Sequence, residues 1–130
     1  MTACGDTVID LWRGANVPVK FVFRDGNDAL IGLDGSRFIM RLLINDQSVL
    51  TLDTDIDVAT FYVALAQTYI PQGGVLTTAD MLVWARTVEQ SRLVALGNLT
   101  TWELERRIDG RQEPAGRARF NGLGGDNPDV

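Results

Sequence analysis

Val17-Pro18-Val19-Lys20-Phe21-Val22-Phe23-Arg24 decides the fold class. Val17, Val19, Phe21 and Phe23 fall on one face by strict period two, with Lys20 and Arg24 on the other, which is the signature of a half-buried strand. Pro18 has no N–H and belongs near the start of that strand or on an edge. Asp25-Gly26-Asn27-Asp28 follows as a turn. The same alternation returns in Arg37–Asn45 (RFIMRLLIN), where Phe38, Met40, Leu42 and Ile44 form one face and Arg37 and Arg41 the other. It returns again in Thr100–Ile108 (TTWELERRI), with Trp102, Leu104 and Arg106 on one face and Thr101, Glu103, Glu105 and Arg107 opposite.

Working outward, Thr7–Leu11, Ala29–Leu33, Ser48–Leu52, Met81–Arg86 and Arg111–Asn121 read as further short extended segments, as does Ala59–Leu65, although Ala59, Ala64 and Ala66 with Phe61 and Leu65 at i, i+4 would also suit a helix. Asn45-Asp46, Pro71-Gln72-Gly73-Gly74 and Asp109-Gly110 punctuate them. Thr87-Val88-Glu89-Gln90 has the capping-box form and opens a short helix over Val88–Ala95, with Gly97 near its C-terminal cap. Turn signals every 8–12 residues describe an all-β sandwich or barrel. Seven or so strands with one helix before the penultimate strand give an immunoglobulin-like antiparallel sandwich. The domain spans 1–121, and Gly/Asp-rich residues 122–130 read as a flexible tail whose loss leaves the fold intact.

The 130 residues are 45% hydrophobic and 22% charged, the composition of one globular domain. Twelve Lys and Arg against 17 Asp and Glu leave a charge of −5, which argues against a nucleic-acid groove or a polybasic membrane contact. No apolar run reaches the ~18 residues of a membrane helix, and the first ten residues are not signal-like. There is no histidine, so Ser/His and Cys/His nucleophile pairs and imidazole-ligated zinc are excluded. The lone Cys4 rules out an intrachain disulfide and lies in a segment with no basic partner to activate it.

Four groups invite a chemical reading. Asp53-Thr54-Asp55-Ile56-Asp57 has carboxylates at alternating positions, as a calcium loop does, but Val58 and Ala64 stand where that loop needs Gly and Glu. An acidic solvated turn is expected there, and no metal or cofactor. Glu103, Glu105, Arg106 and Arg107 form a dense charged strand whose paired carboxylates invite acid–base chemistry, with cross-strand ion pairs to Arg111 or Glu113 as the simpler reading. Gly122-Leu123-Gly124-Gly125 opens no helix and so lacks the context of a phosphate loop. Trp12, Trp84 and Trp102 are candidates for sugar stacking. Trp84 and Trp102 lie in apolar strands and read as core, leaving Trp12 as the one expected at the surface.

Leu11-Trp12-Arg13-Gly14, Pro18, Phe21/Phe23, Asp25-Gly26, Leu33-Asp34-Gly35, Phe38-Ile39-Met40-Arg41, Gly97 and Trp102-Glu103-Leu104-Glu105, in that order, resemble small Ig-like proteins of tailed bacteriophages and prophages. The N-terminal domain of the siphophage baseplate upper protein is similar. The resemblance spans Thr7–Phe120 and rests on turn and core residues, with no catalytic signature. It departs at Ala15-Asn16, where the family has Asp-Thr, at Ala95-Leu96-Gly97, which lacks the family's proline, and in the longer stretch Val58–Pro71. It implies a non-enzymatic virion protein, on the tail or baseplate side, working through contacts with other virion proteins as a homo-oligomer or multi-copy assembly. A capsid decoration or neck protein is the near alternative, and a carbohydrate-binding module for host adsorption the alternative of another class. Edge pairing and docking of the terminus give Trp12, Arg13, Phe120, Leu123 and Asp126 as candidate interaction residues.

Overall fold

The computed structural model describes residues 8–71 and 73–124. It is a β-sandwich of eight strands: β1 (Ile9–Trp12), β2 (Val19–Phe21), β3 (Arg37–Ile44), β4 (Gln47–Asp53), β5 (Phe61–Tyr69), β6 (Thr77–Trp84), β7 (Gly97–Ile108) and β8 (Arg111–Leu123), with helix α1 (Val88–Ser91) between β6 and β7. One sheet runs β1-β8-β7-β3-β4 and the other β2-β6-β5. This is the immunoglobulin division of strands, with β2, β6 and β5 in one layer and the hairpin β7–β8 beside β3 in the other. The first strand departs from the usual arrangement. It pairs in parallel with β8, Ile9 opposite Phe120 and Trp12 opposite Leu123, so that among the described residues no strand covers the outer edge of β2.

Local chemistry sets the turns. Asn45 and Asp46 both have positive φ, as do Asp109 and Gly110, the pattern of two-residue hairpin turns whose twist matches the strands they join. These turns fix the β3–β4 and β7–β8 registers, including Met40 opposite Leu52 and Trp102 opposite Ala118. The inward faces then meet as one aromatic core. Phe23 stacks on Phe38 at 5.4 Å, Phe21 meets Trp102 edge-on at 5.1 Å, and Phe120 lies between Trp84 and Trp102 at 5.9 and 6.2 Å.

Several boundaries differ from the sequence expectation for identifiable reasons. β2 begins at Val19, and Val17 is 63% exposed instead of sharing the core face, because Pro18 cannot join the ladder ahead of it. The helix has the expected capping box but only four residues. After Arg92 the hydrogen bonds shorten to Leu93 N–H onto Gln90 and Val94 N–H onto Ser91, a tightening that turns the buried Val94 into the core. Gly97, at φ +72°, therefore opens β7 instead of capping the helix. β5 is a strand, as read, but runs to Tyr69 through a bulge at Ala64–Gln67 where Ala66 takes φ +52°. The last strand does not stop at Asn121: Gly122 and Leu123 continue it, pairing with Leu11 and Trp12.

Candidate functional site

The uncovered edge of β2 and the outer edge of β1 face a common groove of about 550 Å³. Ile9, Trp12, Val17 and Pro18 give it apolar walls, Asp10 and Lys20 lie at its rim, and Arg86 lines it. Arg86 is what shapes it. This side chain is buried, donating from Nε to the Val17 carbonyl at 2.6 Å and from a terminal nitrogen to the Trp12 carbonyl at 2.7 Å. It thereby ties the end of β1 to the approach of β2, and burial depresses its pKa. Gly14 N–H adds a bond to Ser91 Oγ at 2.9 Å, and the Arg13 N–H bonds Leu123 at 3.0 Å, fixing the β1–β2 turn to the helix and to β8.

The candidate residues separate. Trp12 is 55% exposed at this groove, as expected of it, and Arg13 is next to it on the turn. Leu123 is half-buried and in register with Trp12 as a strand residue. Phe120 is a correction: it is fully buried between two tryptophans and offers no surface to a partner. Inward strand alternation from Ala118 through Gly122 puts it there. Asp126 and Cys4 lie outside the described residues. Trp84 and Trp102 are buried as read, so Trp12 is the one tryptophan of the three at the surface.

The charged clusters are internally engaged. Arg37 grips both Asp53 carboxylate oxygens and stands 3.4 Å from Asp55, and Asp57 accepts the Asp53 N–H. The Arg37 bond holds the Asp53 carboxyl below its ordinary pKa, with the Asp55 N–H adding to it. Among the described residues no group of three His, Cys, Asp or Glu is placed to hold a metal ion. Glu105 pairs with Arg107 on its own strand at 3.2 Å instead of with Arg111, and Glu103 stands in register between Arg41 and Arg117. Arg106 points inward, bonding Ser36 Oγ, the Gly32 carbonyl and Glu113. The groove itself was missed by sequence reading. Its one available sign was Pro18 ahead of a strand whose apolar period continues back to Val17.

No protein-family model matches the chain, and no curated protein matches it.

Proposed function

We propose that this chain is a non-enzymatic structural protein of a tailed phage or prophage virion, on the tail or baseplate side, acting through contacts with other virion subunits. The ordered turn and core residues that resemble the Ig-like virion proteins support the class. The observation that carries the reading is the groove: an exposed Trp12 and apolar walls between two strand edges that no described strand pairs. Unpaired edges and exposed apolar grooves are what β-sandwiches use to take on neighbours.

The test is composition of particles. Phage or prophage particles purified from the host that carries this gene contain the chain in multiple copies by quantitative mass spectrometry. Trp12→Ala lowers its occupancy while the melting temperature of the isolated protein stays close to the parent's. Particles free of the chain at full infectivity would remove the virion reading.

A further inference from the structure

Val58 through Ala79 contains no charged residue, in a chain that is 22% charged. This stretch builds β5 and the β5–β6 hairpin. β5 is a sheet edge, and natural edge strands are usually blunted by charge or proline. The edge of β8 that β1 leaves uncovered is blunted in this way, with Pro114 and a bulge opposite Leu104–Glu105. β5 carries the Ala64–Gln67 bulge but neither charge nor proline, and the outer half of its hairpin ends in bare apolar side chains. Ile70 is 70% exposed, Val75 79% and Leu76 69%.

The hairpin is held at its root. Asp80 accepts the Ala66 N–H at 2.9 Å with one carboxylate oxygen and the Leu33 N–H at 2.8 Å with the other. Arg24 reaches the Tyr69 hydroxyl at 3.4 Å. At the tip, Gly74 N–H bonds the Pro71 carbonyl at 2.9 Å. A hairpin held at its root in this way loses less conformational freedom when it docks.

The same chain carries one convex apolar feature and one concave one. They lie at opposite ends of β6: Thr77 pairs with Tyr69 at the hairpin, and Trp84 pairs with Val19 at the groove. Eight strand residues separate them by roughly 25 Å, so a molecule does not fill its own groove. We propose that the β5–β6 hairpin of one copy seats Ile70, Val75 and Leu76 in the β1–β2 groove of the next copy, against Trp12, Val17 and Pro18. The contact joins two different surfaces, so repetition gives a ring or a helical array. The contact engages few side chains, so single contacts are weak and gain strength through many copies. This inference rests on the multi-copy reading above and names the partner surface within it.

Disulfide trapping on the purified full-length chain tests it, in a Cys4→Ser background. Chains with Val75→Cys are mixed with chains with Val17→Cys at ~1 mM and oxidised, with Ser48→Cys on β4 as the control. The 75-to-17 species exceeds the 75-to-75, 17-to-17 and control species about tenfold, and Leu76→Asp on the first chain lowers it about tenfold. Circular dichroism of each variant matches the Cys4→Ser parent, since Val17, Ser48, Val75 and Leu76 are exposed. Predominance of a symmetric species, or 75-to-17 trapping no greater than the control, overturns the proposal. Trapping uses the isolated chain, so the two readings fail separately. Particles without the chain sink the virion reading and leave the trapped pair standing, whereas particles with the chain but no trapped pair sink only the hairpin-in-groove contact.

Discussion

A Cβ at position 122 would lie 2.0 Å from the carbonyl oxygen of Ala95. Gly122 is therefore required by close approach of the chain after the helix to the last strand, and it is not the first residue of a tail. Gly122→Ala should cost about 1–3 kcal/mol through forced displacement of that backbone, read from urea unfolding. An unchanged midpoint would show that the Ala95 segment yields freely. Phe120→Ala should cost about 3–5 kcal/mol, because it opens a cavity between Trp84 and Trp102. A smaller loss, under ~1 kcal/mol, would mean the two indoles close over the gap. Arg111–Asn121 was legible as the last strand, yet Phe120 sits near that strand's end and so also suited a docking role in the sequence. Only the register with Thr100 and Ile9 separates those readings.

At the scale of elements, the sequence showed which segments are strands far better than it showed where they end. Arg37–Ile44 and Thr100–Ile108 were legible because each buries one full face over many residues. β5 was ambiguous because its alanines suit a helix as well, and its outer half buries neither face. The helix ended early because tertiary packing of Val94 outweighed local propensity. β1 and the end of β8 depend on each other and on no local signal, so the end of β1 was misjudged by one residue and that of β8 by two. Truncation separates them. Removing residues 125–130 leaves every described strand whole, and the melting temperature should stay within ~2 °C of the parent. Removing 122–130 deletes the partners of Leu11 and Trp12 and should lower it by several degrees, with faster hydrogen exchange in β1. Equal melting temperatures for the two truncations would mean β1 contributes little to the sandwich.

At the scale of the molecule, the two-layer sandwich followed from strand number and spacing, but the groove did not. It arises because the first strand joins β8 instead of β2, a choice made by pairing partners distant in sequence. The same long-range logic governs pH. Asp53 is lowered by the Arg37 bond, and Asp80 by the Ala66 and Leu33 N–H groups, so both carboxyls bind protons less readily folded than unfolded. For a depressed carboxyl, the stabilisation is fully present above the unfolded value, about 3.9, and is lost as pH falls through the lower folded value. Asp80 matters most to the architecture, since it joins β6 to the β5 bulge and to the loop before β3. Asp80→Asn keeps a carbonyl for one N–H and leaves the other without its acceptor, which should cost about 1–3 kcal/mol at pH 7. The gap between parent and variant should narrow as urea midpoints are followed from pH 5 to pH 2, because the unfolded parent then binds a proton that the folded carboxyl resists, and the charge's stabilisation is lost. A gap that stays constant across that range would mean the charge of Asp80 contributes nothing, and its two hydrogen bonds act only as neutral ones.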